Sequence, residues 1–156
     1  EDPFNRLLEE LDRLKERGEI KEEVWIQSGY STYQPKYCRY EKMMPFSEVQ
    51  EKMKQARVVI THGGPATMMQ VMTHGKIPVV VPRLPRFKEH VDEHQLVFSR
   101  RLADRVIVVE NIEELGEVLR NYEVRTQKLP SPEPPRMRAD RFAEKLEILC
   151  MRLVKA

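Results

Sequence analysis

Three runs of consecutive β-branched residues, Val58-Val59-Ile60, Val79-Val80-Val81 and Val106-Ile107-Val108-Val109, constrain this chain more than anything else in it. None of them alternates with polar residues, so each strand must be buried on both faces. Segments with helical spacing lie between them. Uniformly apolar strands separated by helices predict an α/β fold: a Rossmann-like, doubly wound parallel sheet covered on both sides. At 156 residues, the chain is long enough to hold one such core without disulfide staples.

The remaining elements follow from local pattern. Phe4, Leu7, Leu8, Leu11 and Leu14 recur at helical spacing, so an amphipathic helix is expected from an Asp2 cap and Pro3 to about Arg17. Val24-Trp25-Ile26 is a short apolar strand closed by Gln27-Ser28-Gly29, and residues 39–43 form a weaker strand. Ser47 with Gln50 reads as a capping box for a helix ending near Ala56. Another helix spans 66–74, with Gly75 as its C-terminal stop. A basic loop carrying Arg83, Arg86 and Lys88 leads to a helix from about His90 to Leu102, and Asn111 caps one reaching Asn121. These elements make residues 1–124 one Rossmann-like domain. Residues 125–136, with four prolines, read as a stiff linker, and residues 137–156 hold a last helix with Phe142, Leu146, Leu149 and Leu153 on one side. The chain opens directly on a helix, whereas a doubly wound unit starts with a central strand, so that strand is missing from this sequence or the topology differs.

Composition excludes several classes of function. The 27 Lys+Arg and 25 Asp+Glu leave a net charge of +2, too mild for a nucleic-acid domain. No run approaches the roughly 20 apolar residues of a membrane span, and residues 1–20 are charged rather than signal-like. Cys38 and Cys150 are far apart with no CxxC spacing, which speaks against structural zinc and for a reducing, cytoplasmic setting.

The chemistry concentrates between Val58 and Gly75. Two glycines between a buried strand and a helix N-terminus let a ligand approach backbone N–H groups, and such a terminus favours anions. Thr67 adds a hydroxyl donor. The plain alternative is that Gly63-Gly64 is only a turn and Pro65 a helix starter, because a strand–Gly-Gly–helix pattern is weakly specific. His90-Val91-Asp92-Glu93-His94 also spells an inverted zincin pattern, although no third ligand stands out.

Three segments in order, Ile60-Thr61-His62-Gly63-Gly64-Pro65-Ala66-Thr67, Gly75-Lys76-Ile77-Pro78-Val79-Val80-Val81-Pro82-Arg83 and Glu89-His90-Val91-Asp92-Glu93-His94-Gln95, resemble the donor-binding C-terminal half of GT-B glycosyltransferases. More narrowly, they resemble the MurG-like family 28 group and its small single-domain subunits. That group includes the catalytic subunits of two-component N-acetylglucosaminyltransferases and bacterial capsule and exopolysaccharide enzymes. The resemblance implies that His62, Gly63, Gly64 and Thr67 surround the donor diphosphate. Phe46 would lie beside the uracil, and Gln70 would meet the ribose where an acid is usual. His94 and Gln95 would hold the sugar, with Gln27, Ser28, Gly29 and Arg83 lining the cleft.

It further implies an inverting UDP-sugar-dependent transferase that needs no cofactor or metal. Such an enzyme would act on a lipid-linked saccharide at the cytoplasmic membrane face through a membrane-associated partner chain. That chain would carry the acceptor site and general base. A non-catalytic nucleotide-sugar-binding module and a GT-B-like UDP-sugar 2-epimerase are the rival readings.

Overall fold

The computed structural model describes residues 2–132. Helix α1 (Asn5–Glu16) turns Leu7, Leu8, Leu11 and Leu14 into the core, as its spacing predicts. It starts at Phe4 rather than Asp2. The Asp2 carboxylate lies 3.6 Å from the His90 ring, and the Phe4 N–H donates to Ser31 Oγ at 2.9 Å. Loops, rather than the helix, therefore hold residues 2–4.

Strand β1 (Trp25–Gln27) pairs in parallel with β2 (Arg39–Glu41), placing Ile26 opposite Tyr40. The loop between them is fixed by one carboxylate. Asp12 accepts from the Tyr33 hydroxyl and from the N–H groups of Lys36, Tyr37 and Cys38. Burial pushes its pKa up, but these four donors outweigh burial and leave it below the usual carboxylate value. The hydrogen bond to Asp12, with burial, drives the Tyr33 hydroxyl up to about 12. Burial, reinforced by Asp12, drives the free Cys38 thiol up to about 11. Such a thiol is structural, because the reactive form is the thiolate.

Helix α2 (Phe46–Gln55) begins one residue before the expected Ser47 cap. Pro45 precedes it in an extended conformation, so Ser47 falls inside the first turn and no side chain caps it. Its C-terminal end is closed by Lys76 Nζ, which donates to the carbonyls of Met53, Lys54 and Ala56.

Strands β3 (Ile60–Thr61), β4 (Val79–Val80) and β5 (Ile107–Val108) form a parallel sheet in the order β3-β4-β5. The parallel sheet expected from the sequence thus has its hydrogen-bonded ladder in two pieces. Between β3 and β4 runs α3 (Pro65–Thr73), which ends at Gly75 with φ +71. After β4, a 3-10 turn at Pro85–Phe87 and Lys88 at φ 56 occupy the chain, so α4 (His94–Arg101) starts four residues later than expected. Asn111 Oδ1 accepts from the Glu113 N–H and opens the 3-10 turn Ile112–Glu114, which runs into α5 (Leu115–Arg120). Helix α6 (Tyr122–Thr126) reaches the start of the expected linker, because the buried Tyr122 hydroxyl donates to the Ile77 carbonyl at 2.7 Å. The helix expected over 137–154 lies outside the described residues.

Alternation along β4 explains the layers. Val79 and Val81 join Leu7, Leu11, Ile26, Ile107, Val109 and Leu115 in one core. Val80 joins Met68 and Val106 in a second. All three valines are fully buried, so the sheet is covered on both faces, and α1 spans both ladder pieces on one of them.

Candidate functional site

The C-terminal ends of the strands converge on the β3–α3 turn, where open α/β sheets bind ligands. Gly64 caps α3 with an ordinary φ of −74, so no left-handed geometry requires glycine there. Close packing does. A Cβ on Gly63 would lie 2.5 Å from Gln95 Cβ, and one on Gly64 would lie 2.4 Å from the His62 ring.

The two glycine amides, expected to be open to a ligand, are satisfied within the chain. Gly63 N–H donates to Gln95 Oε1 at 3.2 Å, and Gly64 N–H to His62 Nδ1 at 3.1 Å. The donors left for an anion are one step further on. Pro65 has no N–H, Met68 N–H reaches the Gly64 carbonyl, and the Ala66 and Thr67 amides have no acceptor among the described residues. Thr67 and Gln70, three positions apart, share a helix face.

His62 is held neutral. Burial, then the charge of Arg83 and the proximity of His90, push its pKa down to about 4. Since Nδ1 accepts from Gly64, the neutral ring carries its proton on Nε2 and offers it as a donor.

Several buried polar atoms have no hydrogen-bond partner among the described residues: Thr61 Oγ1 and Arg83 Nε, His90 Nδ1, which has only the Asp2 carboxylate at 3.6 Å, and, at the far end of α3 beside His74, Gln50 Nε2. Native interiors rarely leave such atoms unpaired. Arg83 is the strongest of them. Burial lowers its pKa while Asp2 and Glu89 oppose that shift, and its guanidinium stands 5.3 Å from the Phe4 ring.

The loop carrying Arg83 is anchored by Glu89. That carboxylate is only 3% exposed, yet it takes both oxygens to Arg6 at 2.8 Å and accepts from the Leu84 N–H at 3.1 Å. Arg6 also donates to the Pro82 carbonyl and stacks 4.5 Å over Phe87. Neither the Arg6–Glu89 clamp nor Thr61 and Gln50 was signalled by the sequence, because their neighbours are distant along the chain.

Gln95 ties two segments of the chain together. Its Oε1 also accepts from the Arg83 N–H at 3.1 Å and so joins the glycine turn to the basic loop. His94 opens α4, highly exposed, with its ring 2.7 Å from Asp92 and its N–H on the same carboxylate. Asp92 accordingly sits below its ordinary pKa, chiefly through the His94 N–H. His90 lies before α4 and turns to Asp92 and Asp2, so the two histidines do not occupy successive turns of one helix as the zincin pattern needs.

Phe46 is the first residue of α2 and is 68% exposed. Gln27 accepts the Met44 N–H, buried Ser28 donates to Glu41, and Gly29, at φ +56, completes the turn after β1. His74 contacts Gln50 at 2.8 Å rather than capping carbonyls.

Comparison with curated proteins and with solved structures returns no match. The model for the glycosyltransferase family 28 C-terminal domain does match, over residues 1–146. A buried strand, a glycine turn, a helix N-terminus and a basic loop at the sheet's C-terminal edge are what a nucleotide-sugar-binding domain of this kind requires, and the chain belongs to the glycosyltransferase family 28 C-terminal domain.

Proposed function

We propose that this domain binds the donor of an inverting, UDP-sugar-dependent glycosyltransferase and supplies the electrostatics of its leaving group. The observation that carries the reading is the buried, unpartnered Nε of Arg83 beside the neutral His62 ring at the N-terminus of α3. A diphosphate there would accept from the Ala66 and Thr67 amides, the Thr67 hydroxyl, His62 Nε2 and Arg83. Gln70 would reach the ribose, Phe46 would flank the uracil, and Gln95 Nε2 with His94 would meet sugar hydroxyls.

In the transfer, an acceptor hydroxyl attacks the anomeric carbon as the bond to the diphosphate breaks. The hydroxyl proton passes to a base, and the electron pair of the broken bond stays on UDP. Negative charge grows on the leaving group, where fixed amides and a guanidinium are worth most. This chemistry needs no metal. We assign the base and the acceptor site to a membrane-associated partner chain presenting a lipid-linked saccharide at the cytoplasmic face. No helix among the described residues is long and apolar enough to cross a membrane.

Calorimetric titration with UDP tests the donor site. One-to-one binding that weakens several-fold in Thr67→Ala is expected. No heat at saturating UDP would remove the diphosphate from this turn. Transfer from UDP-sugars, assayed with and without the partner chain, then separates an enzyme from a binding module.

A further inference from the structure

We propose that the cavity between α1 and the loop joining β1 to β2 binds a free basic amino acid, arginine by preference. This goes beyond donor binding and does not depend on it.

The cavity measures about 240 Å³. At roughly 30 Å³ of liquid volume per water, it suits a guest of about eight to twelve non-hydrogen atoms. Glu9, Arg13 and Glu16 line it from one face of α1, and Tyr33, Lys36 and Tyr37 line it from the loop. Asp12 ties the two walls together. Each of its oxygens accepts two donors from the loop, so it holds the shape and has no acceptor to spare.

The tyrosine rings are fixed by their hydroxyls. Tyr33 donates to Asp12 at 2.8 Å and Tyr37 to Glu16 at 3.0 Å, which keeps both rings in place as walls. Among the described residues no cation lies over either ring, although Arg13 and Lys36 line the same cavity. By contrast, Trp25 lies under Lys52 and Arg39, and Phe87 under Arg6 and Arg86.

The charged groups of the lining are not equally engaged. Arg13 is spent on Glu10, which accepts from its Nε and from a terminal nitrogen. Glu9 and the Lys36 ammonium have no hydrogen-bond or ion-pair partner among the described residues. Glu16 accepts only from Tyr37 there, so its second oxygen is open. The Asp12 hydrogen bond and burial raise the Tyr33 pKa most, and Glu9 and Glu16 add to the rise, so both carboxylates lie near that ring.

Two anions and one cation are therefore on offer. The complementary guest carries two cations and one anion, which is the charge pattern of a basic amino acid. Its α-ammonium and side-chain cation would meet Glu9 and Glu16, and its carboxylate would meet Lys36. A guanidinium suits the place better than an ammonium, because it pairs with carboxylates bidentately and stacks on aromatic faces.

Amide NMR on the whole chain, at constant ionic strength and without nucleotide, tests this. Free arginine should give saturable shifts at Glu9, Glu16, Tyr33, Lys36 and Tyr37, with a dissociation constant on the order of 1 mM for so small a ligand. Arginine blocked at both ends as its N-acetyl amide, and guanidinium alone, should bind at least about fivefold more weakly. Glu16→Gln should weaken arginine binding about threefold to tenfold, and Lys36→Met should abolish the preference for free over blocked arginine. Both side chains are exposed, so neither exchange threatens the fold. The absence of a saturable shift up to about 20 mM arginine overturns the proposal. So does equal affinity for the blocked form, which would assign the cavity to an arginine side chain of a partner protein. Unchanged affinity in Glu16→Gln, or a preference that survives Lys36→Met, overturns it too, because the shifts would then report the general attraction of arginine to aromatic surfaces. UDP is absent throughout, so failure here leaves the donor reading standing.

Discussion

The loop after β1 and the loop after β4 are both polar, and each is pinned to α1 by one carboxylate, yet they finish differently. Asp12 gathers four donors from the first loop and its surroundings. Glu89 gathers the Leu84 N–H and Arg6 for the second, and there Arg83 Nε has no hydrogen-bond partner among the described residues. The first loop is scaffold, with its buried polar atoms consumed in holding shape. The second keeps a buried donor in hand while its backbone is held, which is how a binding site would be preorganised.

Glu89→Ala is the harshest test of that contrast. It strands the Arg6 guanidinium in a largely buried position and should cost about 3–5 kcal/mol of stability in urea unfolding. A loss below about 1 kcal/mol would mean that the carboxylate is not the anchor.

Acid titration comes next. The His62 pKa is depressed in the folded state, so the unfolded chain binds more protons between the ordinary value and about 4. Stability should be fully present above pH 6.5 and fall by on the order of 2–3 kcal/mol as pH drops to 4, with His62 contributing no further loss below that. His62→Gln, whose amide oxygen can still accept from Gly64, should flatten this limb of the curve.

Arg83→Gln separates site from scaffold. Its side-chain Nε has no hydrogen-bond partner among the described residues, so stability should move by less than about 1 kcal/mol. UDP affinity should fall about tenfold or more, as expected for a lost bond to a charged group. Equal losses in both measurements would make Arg83 structural and erase the distinction between the loops. The smallest effect is expected from Gln70→Glu, which should leave UDP binding unchanged or somewhat tighter; a large loss in calorimetry would displace the ribose from that helix face.

Much of the frame was legible in the sequence because it is local. Val79-Val80-Val81 announced a doubly buried strand, Gly75 the end of α3, and Asn111 the cap after β5. Where the structure departs from local pattern, the cause is a residue distant in the chain or a competing neighbour. Local pattern makes Gly63 and Gly64 bare amides, but an acceptor 32 positions onward and the nearby His62 ring occupy them. The capping box at Ser47 lost to Pro45, one residue outside the expected helix. The Arg6–Glu89 clamp joins positions 83 apart, and no periodicity reports such a pairing. That Gln95 and His62 hold the glycine amides of the turn is visible only in three dimensions.

The carbonyl oxygen of Gln95 has two lone pairs, and Gly63 and Arg83 take both. The phosphate-side turn and the arginine segment therefore share a single tether, and neither can drift without dragging the other. The width of the mouth between them is gauged by the reach of one glutamine, so shortening that side chain by a single methylene would resize the opening while leaving every wall residue in place.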